Sequence, residues 1–100
     1  MYSVVRWVTE LTPDDLITME IGRMANTVVD VSFNYRARIR GAWVEVARFD
    51  NAHGAPHLHR FWVPDTRLLH FRSLAAFASH AQNDLIANWA KYRRLMERTS

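Results

Sequence analysis

From its first residues to about position 71 the chain alternates apolar and polar side chains with a period of two. That is the spacing of strands with one buried face. "SVVRWVTEL" reads as a first strand, closed by the turn chemistry of "TPDD". In "LITMEIG", Ile17, Met19 and Ile21 share one face, and Leu16, Thr18 and Glu20 the other. Thr12-Pro13 would also suit a helix start, but the β-branched alternation favours a strand. The clearest run is "TVVDVSFNYRARIR". It sets Val29, Val31, Phe33, Tyr35, Ala37 and Ile39 against Asp30, Ser32, Asn34, Arg36, Arg38 and Arg40. A turn at Arg40-Gly41 then pairs Ile39 with Ala42, Arg38 with Trp43, Ala37 with Val44, Arg36 with Glu45 and Tyr35 with Val46. Arg38 against Trp43 is a predicted cation–π contact.

After Ser73 the period becomes 3.6. Leu74, Phe77, Ala81, Leu85, Trp89, Tyr92 and Met96 form one stripe of a helix running from about 73 to about 98, with Ser73 as its N-cap. Neither the sheet nor the helix can bury its apolar face alone. The expected fold is therefore α+β: one domain over residues 1–100, an antiparallel meander of four to five strands (about 2–71) covered on one face by a long C-terminal helix. Lys91, Arg93, Arg94 and Arg98 gather at the helix end, where cations complement its dipole.

Composition narrows the chemistry. The absence of cysteine removes disulfides and thiolate metal sites from consideration. No apolar run approaches the roughly eighteen residues that span a bilayer, and the N-terminus lacks the pattern of a signal peptide. A cytoplasmic protein with no membrane partner is the expectation. Residues 1–35 carry two arginines against five acids, a net of −3, whereas residues 36–100 carry eleven basic against five acidic residues, a net of +6. The basic portion suits an anionic partner such as RNA, although a solvated surface accounts for the charge equally well.

The stretch "RFDNAHGAPHLHRFW" holds three of the five histidines within seven positions. With "NAHGAP" as a loop, Asp50 pairs with His57, Arg48 with His59, Val46 with Phe61 and Val44 with Val63. Arg48, Asp50, His57 and His59 then share one face, with Tyr35 nearby on it, and a slip of one residue would separate them. Two imidazoles can divide the roles of general base and general acid around neutral pH. In RNA cleavage one takes the ribose 2′-hydroxyl proton and the other protonates the leaving 5′-oxygen. Asp50 orients a ring, and Arg48 and Arg60 stabilise charge on phosphorus. The same residues allow a second reading, in which His57 and His59, with His53 or Asp50, bind Zn2+. In a third, Arg36, Arg38, Arg40 and Arg60 bind nucleic acid, or a protein, without catalysis. The plain alternative to all three is a polar hairpin tip.

The runs "VARFDNAHGAPHLHRF" and "LLHFRSLAAFASHAQNDLIANW" resemble the TumE-like family of small toxins of toxin–antitoxin systems. They are also similar to a group of short bacterial and archaeal proteins with an Arg-Phe/Tyr-Asp-x-Ala-His-Gly-x-x-His-x-His centre. Here that centre is Arg48, Phe49, Asp50, Ala52, His53, Gly54, His57 and His59. The resemblance implies a toxin module acting on RNA and paired with a cognate antitoxin, with Arg48, Asp50, His57 and His59 as site residues. The N-terminal acidic hairpin has no counterpart in that pattern, and the loop around His53 differs in length. An uncovered edge strand would be open to strand addition by an antitoxin or by a second copy, giving a homodimer.

Overall fold

Alternation at period two becomes six strands, and the 3.6-residue stripe becomes one helix. The computed structural model describes residues 1–52 and 54–99. The strands are β1 (Tyr2–Thr12), β2 (Asp15–Met24), β3 (Thr27–Ile39), β4 (Ala42–Asp50), β5 (His57–Arg60) and β6 (Thr66–Leu68), followed by α1 (Leu74–Thr99). They form one antiparallel sheet in the order β1-β2-β3-β4-β5-β6, and α1 packs across one face, mainly against β3. The expected α+β meander is thus present, with six strands rather than four to five. The additional one is β6, whose three exposed residues are too few to carry a legible period.

Short turns make the meander. Arg40 and Gly41 both have positive φ, 52° and 81°, the conformation that matches the twist of a two-residue hairpin. The sheet's buried face carries Ile17, Met19, Val31, Phe33, Tyr35 and Phe49, and α1 lays Phe77, Ala81 and Leu85 on it. Leu74, Trp89, Tyr92 and Met96 complete the helical stripe as half-buried neighbours. The N-cap is made as expected, with the Ala76 N–H donating to Ser73 Oγ at 3.1 Å. Ser73→Ala should therefore cost about 1 kcal/mol, read as a lower urea midpoint with unchanged far-UV circular dichroism. A midpoint equal to that of the wild type would remove the cap from the account.

The β3–β4 register follows expectation from Ile39↔Ala42 to Arg36↔Glu45, and Arg38 lies 5.3 Å from the Trp43 ring centre. It then departs. Tyr35 pairs with Ala47, not with Val46, because a β-bulge inserts one residue. Both Val46 and Ala47 are buried, so two consecutive residues of β4 serve the core. The bulge also reverses the parity of everything after it. Phe49 turns towards the helix, opposite Phe33, and Arg48 and Asp50 turn away.

Candidate functional site

Every strand contributes to the face of the sheet that the helix leaves open. Cross-strand pairing aligns Arg6, Glu20, Ser32, Asp50, His57 and Leu68 in one row from edge to edge. The next row holds Val8, Thr18, Asn34, Arg48, His59 and Thr66. The predicted pairs Asp50↔His57 and Arg48↔His59 are both present, so the four residues do converge. They surround an open groove of about 560 Å³ whose walls include Glu20, Asp30, Ser32 and Thr66.

Hydrogen bonds give each of these side chains a defined orientation. Arg48 Nε donates to Asp50 Oδ2 at 2.8 Å, and its Nη1 reaches Glu45 Oε1 at 3.2 Å. Asp50 is nearly buried, and its other oxygen accepts from the Ala52 N–H at 3.0 Å, which turns the chain into the loop. His57 Nδ1 lies 2.6 Å from the Ala55 carbonyl; only a protonated Nδ1 can make that bond, so the neutral ring presents an unprotonated Nε2. His59 Nε2 stands 3.4 Å from Asp50 Oδ2, and its Nδ1 stands 3.4 Å from the Thr66 hydroxyl. The two ring centres are 6.2 Å apart. Phe61 stacks on His59 at 6.1 Å and lies 5.5 Å from the Arg48 guanidinium, forming an apolar back wall.

The carboxylates around the groove have partners of their own. Glu20 holds Arg6 at 2.7 Å, and Asp30 accepts the Tyr2 hydroxyl at 2.6 Å, which raises the Tyr2 phenol above its ordinary value. Asn51, unremarked in the sequence, anchors the loop. Its side chain accepts from the Val31 N–H at 2.8 Å and donates to the Val29 carbonyl at 2.9 Å, standing in for a strand residue beside β3.

Several expected members lie elsewhere. Tyr35 faces the helix, 6.2 Å from Trp89, because the bulge sends Arg48 to the opposite side of the sheet. Its hydroxyl donates to buried Asp15 at 2.5 Å, and burial together with that carboxylate pushes its pKa far up. Arg60 pairs with Ala47 and lines a separate groove with Trp62, Arg67 and Tyr92, so it cannot join Arg48 at phosphorus. The predicted pairs Val46–Phe61 and Val44–Val63 do not continue the β4–β5 ladder. Phe61 N–H still donates to the Val46 carbonyl at 3.0 Å, but the chain then turns towards β6.

Of the remaining arginines, Arg36 and Arg38 are exposed on the open face. Arg36 stands opposite Glu45, and Arg38 pairs with Asp14 at 3.1 Å. Arg40 reaches the Glu97 carbonyl at 3.4 Å. His53 lies outside the described residues, and with it the zinc set that includes it. Among the described residues no three His, Asp or Glu side chains form a metal-ligand set, and no helix is long and apolar enough to cross a membrane.

Glu20 and Ser32 belong to the groove although the sequence did not mark them. Their pairing depends on a second bulge: counting from the turn at Ala25-Asn26 would set Glu20 opposite Val31, and the extra residue Val29 of β3 moves it to Ser32. No curated protein and no solved structure matches the chain. A family model does, over residues 2–100, and by that match the chain belongs to the family described as "Domain of unknown function (DUF7718)".

Proposed function

We propose that the open face of the sheet is an acid–base site that cleaves RNA, and that the protein acts as the toxin of a toxin–antitoxin pair. One observation carries the reading: two imidazoles with different hydrogen-bond partners open on one groove, their centres 6.2 Å apart, beside a guanidinium. His57 is the base. Its Nδ1–H is committed to the Ala55 carbonyl, so Nε2 accepts the proton of a ribose 2′-hydroxyl. The 2′-oxygen attacks phosphorus, and the bond to the 5′-oxygen breaks. His59 is the acid. Its Nε2 faces the Asp50 carboxylate, and Nδ1 delivers the proton to the leaving oxygen in exchange for its contact with Thr66. Arg48, held between Asp50 and Glu45, faces the charge that develops on the phosphoryl oxygens. The products are a 2′,3′-cyclic phosphate and a 5′-hydroxyl, and no metal takes part.

The test uses purified protein, an RNA oligonucleotide and the same sequence with 2′-O-methyl groups. The wild type should cleave only the first. His57→Ala and His59→Ala should each slow cleavage by about 10²–10⁴-fold with unchanged circular dichroism. In cells, expression should arrest growth, and the product of a neighbouring gene should relieve it. Cleavage of equal rate by the double alanine variant rejects the assignment. If the wild type cuts nothing but binds RNA in a salt-sensitive manner that Arg36→Ala and Arg38→Ala abolish, the open face is a binding surface instead.

A further inference from the structure

The two edges of the sheet are built differently. β6 is three residues long and carries Arg67, as a protected edge does. β1 is eleven residues long, with Val4, Val5 and Val8 exposed at 48%, 49% and 58%, and neither lysine nor proline interrupts it. The helix does not cover it: α1 packs on β2, β3 and β4.

The outward-facing backbone groups of β1 can be assigned. The Ala25 N–H donates to the Met1 carbonyl at 3.0 Å, so Met1 and Ala25 form a hydrogen-bonded pair of the β1–β2 ladder. Bonded and non-bonded pairs alternate along an antiparallel ladder. Ser3, Val5, Trp7 and Thr9 therefore spend their backbone groups on β2, while Val4, Arg6, Val8 and Glu10 direct theirs to the free edge. A second strand can bond only to these even-numbered residues.

We infer that β1 pairs antiparallel with β1 of a second copy of this chain, about a two-fold axis at Val8, joining two six-stranded sheets. Charge selects this register among those the backbone allows. Val8 opposite Val8 places Arg6 opposite Glu10 of the other copy, twice by symmetry. A shift of two residues either way along the partner sets Arg6 against Val8 or Thr12 and leaves Glu10 without a cation opposite. A shift of four brings Arg6 against Arg6, or Glu10 against Glu10. On the open face the pairing also extends an existing contact: Arg6, already bonded to Glu20 at 2.7 Å, would lie between two carboxylates. On the helix side, Val5 would meet Leu11, and Trp7 would meet Thr9, apolar surface that a single copy leaves uncovered. The two-fold axis stands perpendicular to the sheet, so both histidine grooves open on the same side of the dimer.

Sedimentation velocity on the full chain tests this. The wild type should sediment as a dimer. Arg6→Glu and Glu10→Arg each create two like-charge pairs and should raise the dimer dissociation constant about ten- to a hundredfold. Mixing the two variants should restore dimers, because the mixed dimer sets two carboxylates of one chain against two guanidinium groups of the other, with opposite charges at both contacts. Glu10→Arg leaves the Arg6–Glu20 pair intact, so its monomer keeps the native circular dichroism. A wild type that is monomeric at roughly 0.1 mM overturns the inference. So does a dimer indifferent to both reversals, or a mixture that fails to associate. None of these results depends on RNA cleavage.

Discussion

Asp15→Ala should lower the unfolding free energy by about 3 kcal/mol, the lower end of the 3–5 expected when one partner of a buried pair is removed. Asp15 is 3% exposed at the start of β2. It accepts hydrogen bonds from the Thr12 hydroxyl and the Tyr35 hydroxyl, each at 2.5 Å, and from Arg93 Nη1 at 2.7 Å. Arg93 also donates to the Arg38 carbonyl at 2.7 Å, so one carboxylate ties α1 to β2 and β3. Alanine would leave the Tyr35 hydroxyl without an acceptor in the core. The loss at Arg93 is smaller, because its side chain is 23% exposed and can turn towards Glu97, 3.7 Å away.

The pH dependence of that loss has a definite sign. Burial works against the ionised carboxylate, but hydrogen bonds from Thr12, Tyr35 and Arg93 outweigh it and hold its pKa below the ordinary 3.8. A depressed carboxyl stabilises the fold above its unfolded value and loses that contribution as pH falls through the folded one. Urea unfolding followed by circular dichroism should show the gap between wild type and Asp15→Ala widest near neutrality and narrowing below about pH 4. Equal midpoints at pH 7 would refute the role given to this residue.

Phe49→Ala should have the larger effect, up to about 5 kcal/mol, the upper end of the 3–5 expected when a buried phenylalanine is truncated. The bulge at Val46 and Ala47 turns Phe49 towards the helix, opposite Phe33 and beside Leu58, and leaves it fully buried. Its ring stands edge-on to Phe77 at 6.2 Å and to His80 at 5.8 Å, so alanine opens a cavity between β4 and α1. A domain with about 5–15 kcal/mol in hand loses much of its stability. Deleting Ala47 instead would restore regular pairing without moving the site. Val46 would take the place opposite Tyr35, and Arg48, Phe49 and Asp50 would keep Asn34, Phe33 and Ser32 as partners. The measurement is the urea denaturation profile with limited proteolysis. A sigmoidal transition at the wild-type midpoint for Phe49→Ala would show that the bulge does not serve the helix contact.

The bulge also explains why the candidate site is legible in membership but not in place. Arg48, Asp50, His57 and His59 come together on sequence grounds because loop length and two-residue parity are local properties of one hairpin. Their side of the sheet is not local. It depends on the parity change between Val46 and Phe49, which follows from α1 burying Val46, Ala47 and Phe49 together. A signal for it is present: Val44 and Val46 keep even positions, and Phe49 breaks to odd. Unbroken alternation puts Tyr35 beside the histidines for the same reason, and the structure sends it to the core instead.

Short-range alternation, the change to a 3.6-residue period at Ser73 and the Arg40-Gly41 turn determined the strands, the helix and the α+β class. Each is encoded by residues within a few positions of one another, so chain chemistry alone suffices. Only the tertiary structure decided which face received the histidines, that Arg60 left them, and that Glu20, Asp30 and Ser32 joined them. It also decided that Asp15 became the buried partner of Tyr35 and Arg93. Those outcomes join positions distant along the chain, and they follow from which side chains the helix removes from water.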